Sequence, residues 1–389
     1  MRSKRIVFFT FGSLGDIYPV LALAREMQRR GNSSVVATSP CYRSLIEREG
    51  VVFHPVRPDV DIADPAVLRR AMDLRTGARY ILRDILFPAL QDSYDDTIAA
   101  AADADLVVTH PVALSSFLFA RKSGLPWAAV ALAPASLFSV YDPAVLGGMP
   151  FAEKYARLPP LFQRALRRTV ALLVEPDWKS FRKLEKDLGL RPTRNPLLWT
   201  PEANLVLGLF SPVLGAPQSD WPANSHATGF PFLQHNDGNS PALREFLDSG
   251  APPIVFTLGS AAVGAAGDFF QQSAEAAHAL GRRAVLLVGR DRRNQPVGKL
   301  PPGVIAVPYA PHAIVFPRAC VVVHQGGIGT TGEAMLAGRP MLVVPYSHDQ
   351  PDHAARLKRL GVARSVPKPG PLSTPPGVVA ILVTVYVIR

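Results

Sequence analysis

Short apolar runs recur along the chain, separated by longer stretches of mixed polarity. Residues 6–10, Ile-Val-Phe-Phe-Thr, form the first: aromatic, β-branched and unbroken, as in a strand buried on both faces. After a glycine turn, Val20, Leu21, Ala24 and Met27 fall on one helical face, and Gly31 supplies the stop. Further strands are predicted at residues 35–38, 51–53, 106–109 and 128–132, with 205–209 the last of this half. Residues 211–239 are then rich in Pro, Gly, Ser and Asn, the composition of a linker. A second series follows at residues 254–258, 284–288, 304–307, 320–323 and 341–344. Strands alternating with helices predict parallel sheets covered on both faces. The expected architecture is α/β, with two doubly wound Rossmann-like domains at 1–210 and 240–366 facing a cleft. Residues 61–96 and 143–190 have helical composition outside this alternation. Their aromatics and those nearby (Tyr80, Phe87, Tyr94, Phe138, Tyr141, Phe151, Phe162) suit helix packing first and the lining of an apolar pocket second.

Composition narrows the partners. Hydrophobic residues make up 48% and charged residues 19% of the 389, enough for buried cores and too apolar for disorder. A formal net charge of +11 favours anionic partners. The basic residues are scattered (Arg29 and Arg30, Arg167 and Arg168, Arg282 and Arg283), without zinc-finger spacing or an aromatic RNA-binding motif. Nucleotides are therefore the expected anions rather than nucleic acid, and peripheral contact with a membrane surface stays open. Two cysteines, Cys41 and Cys320, make neither a disulfide framework nor a metal site, which fits a cytoplasmic protein. No apolar stretch reaches the roughly 20 residues that span a bilayer.

The chemistry concentrates after the strand at 320–323. His324-Gln325-Gly326-Gly327-Ile328-Gly329-Thr330-Thr331 reads as strand, glycine turn, helix. Such turns let the backbone approach a diphosphate, whose charge suits the free N–H groups of a helix start. His324 is placed to donate to a phosphate oxygen. The next strand ends in His348-Asp349-Gln350-Pro351-Asp352-His353. There Asp349 accepts, and Gln350 both donates and accepts, hydrogen bonds from sugar hydroxyls. Tyr309 and His312, after the strand at 304–307, are candidates to stack against or hydrogen-bond a nucleobase.

From about Val307 to Val362 these residues resemble the C-terminal signature of nucleotide-sugar-dependent glycosyltransferases of the GT-B fold. The resemblance is to the family 1 bacterial group that includes macrolide, glycopeptide, sterol and rhamnolipid glycosyltransferases. It implies that His324 and the backbone of Gly326, Gly327, Gly329, Thr330 and Thr331 hold the donor diphosphate. Glu333 would bind the ribose hydroxyls, although Thr330 and Glu333 also have the spacing of a helix capping box. Asp349 and Gln350 would orient the transferred sugar. Thr257-Leu258-Gly259-Ser260 resembles the loop whose serine approaches the nucleotide phosphates.

Residues 10–19 lack the full dinucleotide fingerprint. They match the family's acceptor-side loop, with Gly12, Ser13, Gly15 and Asp16 in the pattern Gly-Ser-x-Gly-Asp. Asp16 then becomes the base that takes the acceptor's hydroxyl proton in an inverting transfer. Its alternative role is helix N-cap. His54 and His110, each before a proline at a predicted strand end, are weaker candidates to face the cleft. No metal is required, since helix N–H groups and His324 would stabilise the leaving diphosphate.

The expected activity is transfer of a hexosyl or deoxyhexosyl group from a UDP- or dTDP-sugar co-substrate to a hydroxyl of a lipid or other hydrophobic acceptor. Two alternatives are a nucleotide-sugar hydrolase or epimerase, and an inactive homologue that only binds nucleotide. The last possibility comes from residues 367–389, a proline-rich stretch and an apolar β-branched run. Family members usually continue there with amphipathic helices, so this end reads as atypical or truncated.

Overall fold

The computed structural model describes residues 2–61, 64–147, 151–193, 202–233 and 240–366. The chain divides at Leu233 into two compact units. Each is built on one parallel sheet, as the alternation of apolar runs predicts.

The first sheet contains β1 (Arg5–Phe9), β2 (Ser33–Thr38), β3 (Val52–Pro55), β4 (Leu106–Thr109), β5 (Trp127–Ala131), β6 (Leu205–Gly208) and β7 (Ser225–Ala227). Their spatial order is β3-β2-β1-β4-β5-β6-β7. The second sheet contains β8 (Ile254–Thr257), β9 (Ala284–Leu287), β10 (Val304–Val307), β11 (Val321–His324), β12 (Met341–Val343) and β13 (Ala363–Ser365), in the order β10-β9-β8-β11-β12-β13. Every pairing is parallel.

Hydrophobic burial explains the centre of each sheet. Val7, Phe8 and Phe9 of β1 and Val321, Val322 and Val323 of β11 are buried, with helices supplying both covers. Of the four edge strands, β3 and β10 match predicted runs, whereas β7 and β13 were not legible. The sequence Ser-His-Ala of β7 falls in the stretch expected to be linker, yet it pairs with β6 and belongs to the first unit. Ala-Arg-Ser of β13 likewise lacks an apolar run and pairs only with β12. Edge strands bury one side and need no continuous hydrophobic sequence. Residues 234–239 and the apolar tail at 367–389 lie outside the described residues.

The aromatics of the inserted helices divide by role. Phe87 and Tyr94 are buried, as helix packing predicts. Phe138, Tyr141, Phe151 and Phe162 are exposed instead. No helix among the described residues is long and apolar enough to cross a membrane.

In the second unit, helix Gln350–Arg359 follows β12 and carries a buried ion pair. Arg356 Nε donates to Asp352 Oδ2 at 2.7 Å, one turn away, with both side chains almost fully buried. Removing one partner takes away the ion pair that compensates a buried charge. Arg356→Ala is expected to destabilise the folded chain by about 3–5 kcal/mol, read as a lower urea midpoint. An unchanged midpoint would mean that the pair does not anchor this helix.

Candidate functional site

The strand orders identify where each sheet opens. In an open parallel sheet, the loops diverge at the carboxyl ends of the two strands where the winding reverses. In the second sheet these strands are β8 and β11, paired with Thr257 opposite His324. In the first they are β1 and β4, with Phe9 opposite Thr109. The glycine motifs follow β8, β11 and β1, at these two places.

After β11 the chain turns through Gly326, at φ +90°, into helix Ile328–Leu336. A Cβ on Gly326 would lie 2.9 Å from Val343 Cγ1 and 3.1 Å from the Gln350 carbonyl, so only glycine lets the turn pack this closely. His324 is fully buried, and its Nδ1 accepts the Gly326 N–H at 3.1 Å. Burial, followed by the nearby His312 and His353, pushes its imidazole down to about 3. The ring is therefore neutral near pH 7, and the proton resides on Nε2. That N–H is buried without a partner among the described residues. Gln325 Oε1 and Thr331 Oγ1, beside it in sequence, are also buried and unpartnered. An unsatisfied buried polar atom costs about 1–3 kcal/mol, so three around one helix start mark a site shaped for a polar ligand.

Other predicted donor residues surround this turn. The helix N-cap is Gly327, and Thr330 lies inside the first turn. Thr330 and Glu333 therefore do not form the capping box that their spacing suggests. Glu333 is half-buried, its carboxyl group makes no hydrogen bond among the described residues, and burial pushes that carboxyl up. Gly329 has open space where a side chain would start. Ser260 is exposed on the short helix Gly259–Ala262 after β8. Gly259 packs against the Gln325 amide, which a Cβ there would meet at 2.4 Å.

The loop after β12 is tighter than the sequence suggests. Gln350 is buried, and its Oε1 accepts the N–H groups of Tyr346 and Ser347 at 2.8 and 3.1 Å. Its acceptor is thus committed to shaping the turn, which leaves the amide N–H groups rather than both functions for a ligand. His348 adopts a left-handed conformation at φ +57°, and Asp349 follows with a partly exposed carboxylate. Tyr309 is exposed, while His312 stacks on Phe316 with centroids 4.3 Å apart. Burial holds the His312 imidazole down at about 4, and only one ring face is covered by Phe316.

In the first unit, Ser13 caps helix Leu14–Arg29 and Asp16 occupies its third position. Asp16 is therefore part of a capping box rather than the N-cap itself. Its Oδ2 accepts the Ser13 N–H at 2.7 Å and the Ser13 hydroxyl at 3.1 Å. Its Oδ1 lies 3.4 Å from His110 Nε2, at the end of β4. His110 Nδ1 accepts the Val112 N–H at 3.4 Å, which places the neutral ring's proton on Nε2, towards Asp16. Gly12, at φ +134°, makes room for the carboxylate: a Cβ there would lie 2.4 Å from Asp16 Oδ2. The Tyr42 hydroxyl fixes the same loop by donating to the Gly12 carbonyl at 2.7 Å. His54 stands on β3, two strands from β1, and is not brought to this point. His110 was visible only as a His-Pro pair at a strand end; its meeting with Asp16 depends on β4 pairing with β1.

An apolar hollow adjoins this loop. Phe9, Phe11, Val56, Leu86, Leu90 and Leu114 line it, and its volume is about 20 Å³, room for one water-sized group. Among the described residues, no cluster of three metal-ligating side chains occurs.

Residues 276–378 match the family model for the C-terminal domain of erythromycin biosynthesis protein CIII-like proteins. Over 381 residues the chain is 33% identical to O-mycaminosyltylonolide 6-deoxyallosyltransferase of Streptomyces fradiae, covering 93% of this chain and 86% of that one. The chain belongs to the family 1 glycosyltransferases. It is a glycosyltransferase with the GT-B fold. The glycosyltransferase of kitacinnamycin shares that fold with a TM-score of 0.73 at 20% identity, over 100% of this chain and 92% of its own. The glycosyltransferase VinC, solved in complex with dTDP, does so with a TM-score of 0.65 at 19% identity, over 99% and 91%.

Glu333 gives this glycosyltransferase a pH signature. Its raised carboxyl value means that folding disfavours the anion; the penalty is absent below the ordinary value of 4.5 and grows as pH rises through the raised one. Glu333→Gln is expected to raise the melting temperature near pH 7, with the gain vanishing in acid, and to weaken nucleoside diphosphate binding about tenfold. Melting curves that coincide with wild type across pH would show that the carboxylate is not held at a cost.

Proposed function

We propose that this glycosyltransferase moves a hexosyl or deoxyhexosyl group from a dTDP- or UDP-sugar to a hydroxyl of a hydrophobic acceptor, with inversion at the anomeric carbon. The observation that carries the donor half is the buried, unpartnered His324 Nε2–H at the start of helix Ile328–Leu336. A diphosphate oxygen satisfies that donor, and the helix's free N–H groups add to the same charge. Glu333 accepts from the ribose hydroxyls. Asp349 accepts from the sugar, while the Gln350 amide donates to it. Tyr309 and His312 serve the base, and Ser260 approaches the phosphates. The dTDP in the VinC structure supports a nucleoside diphosphate donor, and the deoxyallosyl transfer named for the Streptomyces fradiae relative supports a deoxyhexose.

For the acceptor half, Asp16 is the base. Ser13 holds Oδ2, so Oδ1 keeps a lone pair for the acceptor proton, while His110 steadies it from the side. As the proton moves to Asp16, the acceptor oxygen bonds to the anomeric carbon. The bond from that carbon to the diphosphate oxygen breaks with its electron pair, and the charge falls on His324 and the helix start. The scheme assigns no step to a metal. Exposed Phe138, Tyr141, Phe151 and Phe162 support a hydrophobic acceptor, as does the O-mycaminosyltylonolide named for the Streptomyces fradiae relative.

Mass spectrometry of products from dTDP- and UDP-hexoses against macrolide and sterol acceptors tests the reading. Wild type should glycosylate at least one hydroxylated acceptor. Asp16→Ala should lose about 10²–10⁴ in kcat with donor binding kept. Donor consumption without a glycosylated product would favour a hydrolase, and an Asp16→Ala variant of full activity would remove the base.

A further inference from the structure

His353 lies on helix Gln350–Arg359, four residues after Asp349, and is fully buried. Its Nδ1 lies 2.7 Å from the Gly326 carbonyl oxygen. A carbonyl only accepts, so this nitrogen carries a proton and donates it. The N–H of the same Gly326 donates to His324 Nδ1 at 3.1 Å. One peptide residue is thereby held at both ends by two buried imidazoles. The second His353 nitrogen, Nε2, has no hydrogen-bond partner among the described residues. It points to Asp349, whose Oδ2 is 3.7 Å away, beyond hydrogen-bond reach.

We propose that His353 is a positioning residue for the donor. It fixes the Gly326 peptide so that His324 keeps its proton on Nε2. It touches no substrate, because it is sealed inside the unit. Its effect passes through His324, so the inference rests on the reading of His324 as a phosphate ligand. Gly326 cannot hold this position alone. Its φ of +90° lies in the region open to glycine, where the backbone is free to adopt other conformations unless its N–H and carbonyl are both engaged.

The test is the affinity of the full chain for dTDP and UDP, measured by titration calorimetry without acceptor or turnover. His353→Asn and His353→Leu are nearly equal in shape, but only Asn offers an amide N–H where His353 presents Nδ1–H. His353→Leu is expected to weaken binding about tenfold, and His353→Asn to stay within about threefold of wild type. In the His324→Ala background, His353→Leu should cost nothing more, since its effect has no other route. Equal affinities for the Asn and Leu variants would overturn the proposal. So would losses that multiply in the double variant, which mark general packing. Should His353→Leu fail to fold, His353→Ala takes its place in both comparisons. If His324→Ala itself binds like wild type, the phosphate reading fails; if only His324→Ala weakens binding, the His353 proposal alone fails.

Discussion

The turn after β11 is held by one residue's two peptide groups. Gly326 gives its N–H to His324 and receives the N–H of His353 on its carbonyl. Those two hydrogen bonds leave the proton of the neutral His324 ring on Nε2 and fix an N–H of His353 on Nδ1. The low dielectric that drives the His324 imidazole down to about 3 keeps it neutral, so it acts as a hydrogen-bond donor rather than as a cation. In the proposed reading, binding of the diphosphate follows from strand β11 ending where it does. His324 is its last residue, and the turn, helix start and neighbouring Gln350 loop are packed around the glycine that follows.

The first unit solves a similar problem with different groups. At its own reversal of winding, Gly12 gives up the space of a side chain to the Asp16 carboxylate. Capping the helix consumes one carboxylate oxygen, and His110 approaches the other. The structural and chemical readings of Asp16 are therefore not rivals. Fixing one oxygen through the Ser13 backbone orients the second, and orientation matters most for a weak base. The same economy holds for Gln350, whose oxygen builds the turn and whose nitrogen stays available.

Sequence pattern sufficed wherever an element is long, central and apolar. The buried runs of β1, β8 and β11 predicted both sheets, and the glycine turns after them fall where the winding of each sheet reverses. It failed where pairing supplies what composition lacks. Three-residue β7 and β13 sit at sheet edges, where a short polar strand is stable because a neighbour is already in place. The Thr330–Glu333 spacing misled because spacing cannot say which residue starts a helix; Gly327 does. His110 and His353 were visible as residues but not as partners. Their roles come from contacts across 94 and 27 residues of sequence, with Asp16 and Gly326 respectively. Exposure of Phe162 on its helix, and of Phe138 and Phe151 just outside theirs, was equally hidden, because an aromatic in such a segment reads as core until the packing is known.

The tautomers of the two histidines can be observed directly. Nitrogen-detected NMR of histidine-labelled protein near pH 7, with His324→Gln and His353→Asn for assignment, should find the His324 proton on Nε2 and the His353 proton on Nδ1. Adding a nucleoside diphosphate should shift the His324 Nε2–H resonance, whereas the nucleoside alone should not. A His324 proton on Nδ1, or an Nε2–H resonance indifferent to the diphosphate, would contradict the account at its centre.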